Sequence, residues 1–249
     1  MSIGAVIERM VRLGDELPAD DARRHFHVPY LRTTKAVADA LRRGHFIDTA
    51  WVEDWDVVFA DLYLDALEAA LAGDRPARPW AVAFDAAAEP GSRRLPPLRQ
   101  VLLGMNAHIN YDLPQALVAV IPSADFDDPE RVALRERDHL RIDEVLASRV
   151  SAEDEALGGN RSLLDRVLTP ANRIATKRFL VESRAKVWRN ARRLDLARRT
   201  GPEAYATQLA ELEELSARRV ADLVEPGQVL LKLARRGFGV ELSDGAPLR

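Results

Sequence analysis

Residues 98–121, LRQVLLGMNAHINYDLPQALVAVI, decide the fold. Apolar side chains run through this stretch almost without a gap, which predicts a central helix buried on most of its sides. Pro114 interrupts the segment, because proline has no N–H to donate and its ring clashes with the carbonyl of Asn110 in a continuing helix. We therefore expect the backbone to open at this point and to leave free carbonyls beside Asp112.

Helical patterns continue on both sides of this central segment. Apolar residues recur at three- and four-residue spacing, and glycine, proline and aspartate stand at the expected starts and ends. Pro29 falls inside one of these patterns and is expected to split that helix or to mark a late start. The predicted helices cover residues 3–17, 20–43, 49–71, 98–121, 128–150, 162–199, 202–223 and 228–236, with a short apolar segment at 80–88.

No stretch has the alternating pattern of a strand, so the sequence predicts an all-α protein. The connections are short, which favours antiparallel neighbours in a bundle-like array of helices. We expect a single domain over residues 1–249, with a mobile loop at about 151–160 and a polar tail at about 240–249.

Composition limits the classes of function. The 249 residues, 47% of them hydrophobic, are enough to bury a large core. A net charge of −3 disfavours nucleic acid as a partner, since nucleic-acid-binding domains carry a basic excess. The absence of cysteine excludes disulfides, thiolate zinc sites and a cysteine nucleophile, and it favours a cytoplasmic location. No apolar run is long enough for a membrane span. The sequence is also compatible with a homo-oligomer.

Polar residues at every second position interrupt the apolar helix between Gly104 and Pro114. Asn106 and Asn110 lie one helical turn apart, and so do His108 and Asp112. Burying such groups costs free energy unless each finds a partner, which could be a side chain, water, a ligand or a metal ion. His108 and Asp112 are the first candidates for chemistry, while the two asparagines are candidates for cofactor binding or for hydrogen bonds between helices.

Three other places combine polar residues with apolar faces. Asp56 shares a helical stripe with apolar neighbours, which predicts a buried or pocket-lining carboxylate and a third catalytic candidate. His139 and Asp143 repeat the one-turn spacing at the edge of another buried face. In the segment from 25 to 30, His27 is a candidate ligand and Tyr30 a candidate cofactor-binding residue.

Imidazole and carboxylate groups on facing helices can hold a divalent metal ion without thiols. Such an ion could activate water for hydrolysis of a small or amphipathic organic substrate. We therefore expect an inter-helix pocket with a divalent metal of unspecified identity. The predicted metal ligands are His27, His108, Asp112, His139 and Asp143.

Several alternatives remain open at this point. Without a metal, a His–Asp pair could still act as an oriented general base. Iron-dependent oxidation is disfavoured because the repeated Glu-x-x-His signature of di-iron bundles is absent, and a lyase or cyclase lacks a convincing aspartate-rich motif. The main rival is a non-catalytic helical binding or scaffold protein, in which the buried polar network is structural.

Three segments carry a family resemblance: HVPYLRTT at 27–34, WVEDWDVVFADLYLDAL at 51–67 and GMNAHINYDLP at 104–114. Together they resemble an uncharacterised, mainly actinobacterial family known only as a domain of unknown function. The resemblance covers about residues 20–200 and implies a helical fold with no established activity.

Overall fold

The fold is seen in a computed structural model, which describes residues 1–90, 95–156, 170–227, 229, 232–233 and 237–243. All regular structure in these ranges is helical, so the predicted all-α class is confirmed. The helices are α1 (Ile3–Glu16), α2 (Arg24–Arg42), α3 (Thr49–Ala72), α4 (Arg78–Ala88), α5 (Pro97–Ala107), a π-helical turn (His108–Asp112), α6 (Leu113–Val120), α7 (Ser123–Phe126), α8 (Pro129–Ala156), α9 (Pro170–Thr200) and α10 (Pro202–Val224).

Capping residues explain where several helices begin and end. The side chain of Asp48 accepts a hydrogen bond from the backbone N–H of Trp51 (3.0 Å) and so starts α3. Gly73, with φ of 84°, ends the same helix in the left-handed conformation that glycine tolerates best. Asp128 caps α8 by accepting from the backbone of Glu130 (2.9 Å), as the sequence predicts.

The predicted opening at Pro114 is wrong, because the central helix widens instead of breaking. The N–H of Leu113 bonds to the carbonyl of His108, five residues back, and this closes a π-helical turn. The wider turn accommodates a proline at the second position of α6 without ending the helix. The predicted split of α2 is also wrong, since α2 runs from Arg24 to Arg42 with Pro29 inside it.

Two further boundaries differ from the sequence prediction. The backbone of α8 continues through residue 156, so residues 151–156 are helical and not loop, while residues 157–160 lie outside the described ranges. Most of the helix predicted at 228–236 also lies outside them. Residues 240–243 are not a free polar tail, because Val240 and Leu242 are buried against the helices.

The central helix lies where two clusters of buried apolar side chains meet. One cluster surrounds α6, the start of α3 and the middle of α9. The other joins α1, α2, the second half of α3, α4 and α5. Ile109, in the π-helical turn, packs against both clusters, so the polar residues of this turn lie deep in the core. None of the described helices combines the length and apolar character that crossing a bilayer requires.

Candidate functional site

His108 and Asp112 form a buried hydrogen-bonded pair inside the π-helical turn. Nδ1 of His108 lies 2.8 Å from Oδ2 of Asp112, and the two residues are only 4% and 1% exposed. The indole N–H of Trp80, on α4, donates to the same carboxyl oxygen over 2.9 Å. The pair predicted from sequence spacing is therefore present, and a second helix holds it in place.

Aromatic rings surround the imidazole of His108. Phe59 stacks flat on it, with 3.6 Å between ring centroids and 5° between planes. Tyr30 meets it edge-on at 4.6 Å. Three more rings lie within about 6 Å of it. We call this set the aromatic enclosure, and its members are Phe26, Tyr30, Phe59, Tyr63 and Trp80.

Three polar atoms around this enclosure are buried and have no hydrogen-bond partner in the described part of the chain. They are Nε2 of His108, the hydroxyl oxygen of Tyr30 and Oδ2 of Asp56. Leaving a buried polar group unsatisfied costs about 1–3 kcal/mol, so native proteins rarely keep several together without a reason. Asp56 lies one helical turn before Phe59 on α3, and its carboxyl is close enough to Tyr30 to raise the pKa of that hydroxyl.

Burial shifts the pKa values of the central pair in opposite directions. It lowers the pKa of His108 well below its usual range, because the charged imidazolium loses its hydration. It raises the pKa of Asp112 well above its usual range, and the hydrogen bond from Trp80 opposes this only in part. Both shifts favour a pair that carries no net charge.

Two neighbouring groups are also shifted by burial. Desolvation raises the pKa of Asp56 to about 7, which places its titration near physiological pH. Burial raises the pKa of Tyr30, and the nearby carboxyls of Asp56 and Asp112 raise it further. The hydroxyl of Tyr30 is therefore neutral and within electrostatic reach of both acids. The burial of Asp56 agrees with the stripe on which the sequence places it.

The other predicted metal ligands have partners of their own. His27 uses both ring nitrogens, one with the hydroxyl of Tyr63 (2.9 Å) and one with the carbonyl of Met10 (2.8 Å). These contacts join α2 to α3 and α1, and His27 is 1% exposed. The ring therefore has no nitrogen left for a metal ion.

The predicted pairing of His139 with Asp143 is replaced by two separate contacts. Nδ1 of His139 accepts from the indole N–H of Trp188 (3.1 Å), while Asp143 pairs with Arg184 (2.5 Å). Desolvation lowers the pKa of His139 to about 3, with a smaller contribution from Arg184. Across the described ranges, no group of three or more His, Asp or Glu side chains is placed to hold a metal ion, so the predicted ligand set is not assembled there.

The two asparagines of the window hold the chain together. Asn106 donates to the carbonyl of Leu102 (2.9 Å) and accepts from Asn110 (3.2 Å). Asn110 also donates to the carbonyl of Phe238 and accepts from the N–H of Val240, both at 3.2 Å. Both amide groups therefore make hydrogen bonds within the fold, which explains their burial without the cofactor predicted for them.

Residues 237–243 form an extended strap over the helices. Asn190, on α9, donates to the carbonyl of Val240 (3.1 Å) and accepts from the N–H of Leu242 (3.0 Å). Together with Asn110 it supplies the hydrogen bonds that a neighbouring strand would give to an extended chain. The sequence offers no signal for this clamp, because its partners lie 50 or more residues apart along the chain.

A cleft of about 250 Å³ reaches Asp112 from outside, and His108 is not among its lining residues. It opens between α3, α4, the π-helical turn and α6, and both Trp80 and Asp112 line it. The carboxyl that orients His108 is therefore also part of a cleft wall, although the residue is 1% exposed. The cleft brings a small molecule as far as the carboxyl of Asp112.

Comparisons with known proteins identify the family. No curated protein and no solved structure matches the chain. The model of a family of unknown function, DUF5995, matches residues 3–226, a range that includes the central pair and the aromatic enclosure. This agrees with the resemblance carried by the three sequence segments. The chain belongs to the DUF5995 family, a family of unknown function.

Proposed function

We propose that the protein is an acid–base enzyme, in which Nε2 of His108 exchanges a proton with a small organic substrate. The substrate has an apolar body, which packs on the aromatic enclosure, and a polar group, which meets His108, Tyr30 and Asp56. Asp112 and Trp80 hold the imidazole in place from the opposite nitrogen. Hydrolysis is the simplest such reaction, with water as the nucleophile.

One observation carries this proposal: the unpartnered Nε2 of His108 and the unpartnered hydroxyl of Tyr30 belong to rings in contact at 4.6 Å, and the unpartnered carboxyl of Asp56 is within electrostatic reach of Tyr30. A structural network satisfies its own groups, as Asn106 and Asn110 do a few residues away. A ligand site keeps groups unsatisfied until the ligand arrives. Perturbed pKa values at His108, Asp112 and Asp56 are typical of catalytic groups.

The chemistry assigned here is the metal-free form of the hypothesis drawn from the sequence. In that role the imidazole removes the proton of a water molecule as the water attacks a carbonyl carbon. The neutral hydroxyl of Tyr30 donates a hydrogen bond to the oxygen that becomes negative. When the intermediate collapses, the carbon–oxygen bond to the leaving group breaks and the imidazolium returns its proton to that oxygen. Asp56, with a pKa of about 7, then accepts the proton of the new carboxylic acid.

The test uses small aryl esters and enolisable ketones followed by proton NMR in D2O, which records both ester cleavage and carbon-bound deuterium. Wild-type protein is compared with His108→Gln, and the expected loss of rate is about 10²–10⁴-fold. The matched control is His139→Gln, which changes another buried histidine that is 6% exposed and lies outside the enclosure. It is expected to keep the wild-type rate.

A non-catalytic binding or scaffold role is the second candidate. The flat stacking of Phe59 on His108 favours it, because this contact fills one face of the imidazole. In that case His108→Gln lowers the free energy of unfolding, and no compound in the panel reacts faster than in buffer. That combination of results would reject the enzymatic proposal.

A further inference from the structure

The cleft beside Asp112 combines aromatic walls with carboxyl groups. Trp80 and Tyr111 provide two aromatic side chains, and Asp65 and Asp112 provide two carboxyls. Its other lining residues are apolar or neutral: Leu62, Ala66, Pro76, Ala77 and Gln115. No lysine, arginine or histidine stands among these lining residues, so the walls offer no charge for an anion.

Like Trp80, Asp112 lines the cleft although it is only 1% exposed. Its contacts with Trp80 and His108 both use Oδ2. Oδ1 is therefore the oxygen available to a molecule in the cleft. A carboxyl in so buried a position is costly to ionise, and an occupant that brings positive charge offsets that cost.

The second carboxyl is only partly neutralised by its protein partner. Asp65 pairs with Arg9 (2.6 Å), but the same guanidinium also bonds Asp61 and Glu68. Glu68 also pairs with Arg12 (2.8 Å), so two arginines face these three carboxylates, and the side chain of Asp65 keeps 69% of its exposure. Negative potential remains at the mouth of the cleft.

Aromatic faces beside carboxylates are the chemistry that proteins use to recognise ammonium groups. We propose that this cleft binds a small organic cation, an ammonium group on a compact body, between Trp80, Tyr111 and the carboxyls of Asp65 and Asp112. The ammonium packs on the aromatic faces and approaches Oδ1 of Asp112. This binding does not depend on any proton transfer at Nε2 of His108.

Occupation of the cleft also affects the catalytic proposal, and this second link rests on the proposed function. A cation near Oδ1 stabilises the ionised form of Asp112. As the carboxyl ionises, its proton goes to Nδ1 of His108 and the proton on Nε2 passes to solvent. The carboxylate then accepts from Nδ1–H, and Nε2 is left without a proton. The bound cation would hold the imidazole in the form that acts as a base.

Titration calorimetry with choline and its uncharged carbon analogue, 3,3-dimethylbutan-1-ol, tests the site. Choline is expected to bind about tenfold more tightly, a difference of about 1.4 kcal/mol. The indole N–H signal of Trp80 should shift in NMR spectra as choline is added. Equal affinity for the two compounds, or no binding of choline up to its solubility limit, would overturn the proposal.

Single-residue variants test which carboxyl of the cleft contacts the bound cation. Asp112→Asn keeps a carbonyl oxygen for Trp80 and is expected to weaken choline binding about tenfold, while Asp65→Asn weakens it less. The matched control is Asp61→Asn, which also loses a contact with Arg9 but does not line the cleft. If Asp61→Asn weakens choline binding as much as Asp65→Asn, the effect comes from the contacts of Arg9, and the cleft is rejected as the site. Catalytic rates play no part in this assay, so it can fail or succeed independently of the proposed function.

Discussion

The ring of Phe26 occupies the space that a side chain at Gly104 would need. A Cβ built on Gly104 would lie 2.5 Å from Cγ of Phe26, closer than such atoms approach in real structures. Gly104 is buried and helical, so it is present because of this contact and not because of an unusual backbone angle. Phe26 belongs to the aromatic enclosure, and the contact therefore sets how closely α2 approaches the site.

The substitution Gly104→Ala is expected to displace Phe26 and to cost about 1–3 kcal/mol of unfolding free energy, despite the better helix propensity of alanine. Gly4→Ala in α1 is the control, because its new Cβ meets nothing closer than 3.7 Å. That change is expected to stabilise the protein by up to about 1 kcal/mol. Urea denaturation measures both values, and a neutral Gly104→Ala would contradict the packing argument.

Loss of the indole donor at Trp80 is expected to destabilise the protein more than loss of an indole elsewhere. Trp80→Phe removes the N–H that bonds Asp112, which costs about 1–3 kcal/mol beyond the loss of packing. Trp55→Phe is the matched control, because its buried indole N–H has no partner to lose. Chemical denaturation of both variants measures the difference, and equal losses would show that the bond to Asp112 adds nothing.

Asp56 makes stability fall as the pH rises. Its pKa is about 7 in the folded protein against 3.8 for the ordinary carboxyl, so the folded state holds the proton more strongly. The stabilisation is complete below pH 3.8 and is lost as the pH rises towards 7, by about 2.5 kcal/mol between pH 5 and pH 8. Asp56→Asn should remove this slope, whereas Asp54→Asn, an exposed acid of the same helix, should keep it. Thermal unfolding measured across this pH range tests the prediction. If the unfolding free energy of Asp56→Asn depends on pH as in the wild type, the pKa of Asp56 is not raised.

His139 produces the opposite slope. The pKa of His139 is about 3 in the folded protein, against 6.5 for an ordinary histidine. Below pH 6.5 the unfolded chain therefore binds a proton at His139, while the folded protein does not. Stability is complete above pH 6.5 and falls by about 2 kcal/mol by pH 5. His139→Gln, which can still accept from Trp188, should reduce this acid loss. Asp56 and His139 change the unfolding free energy with pH in opposite directions, so each variant has to be compared with wild type at every pH. Parallel curves of unfolding free energy against pH for His139→Gln and wild type would contradict the lowered pKa of His139.

Removal of the amide at Asn110 is expected to release the strap. Asn110→Ala leaves the carbonyl of Phe238 and the N–H of Val240 without their partner, which costs about 3 kcal/mol. Hydrogen exchange at the Val240 amide should accelerate in the same variant. Gln115→Ala, which loses a side-chain bond to Tyr111 outside the strap, is the control and should leave that exchange rate unchanged. Unaltered protection in Asn110→Ala would mean that packing alone holds the strap.

Local patterns in the sequence predict the helices and part of the site well. The spacing of His108 and Asp112 predicts their contact, because residues four apart face each other on any helix. The apolar stripe around Asp56 predicts its burial for the same reason. These relations need no knowledge of which helix packs against which.

Relations between distant segments could not be predicted in this way. Asp112 receives its second hydrogen bond from Trp80, and His139 meets Trp188 instead of Asp143. A one-turn spacing permits a pair, but a closer or stronger partner on another helix replaces it. The metal hypothesis counted His27 among the possible ligands, and the packing gave His27 two partners of its own.

The π-helical turn also changes the direction in which the central helix presents its faces. One added residue rotates everything after it by about 100°, since a helix turns once in 3.6 residues. In keeping with that rotation, α5 packs against α2, α4 and α10, whereas α6 packs against α3 and α9. A deletion of one residue between 108 and 112 would therefore turn the apolar face of α6 away from its neighbours. A surface loop tolerates insertions and deletions, but at this turn they are expected to prevent folding. The turn fixes the rotation of α6 relative to α5 and so aligns the two clusters of the core.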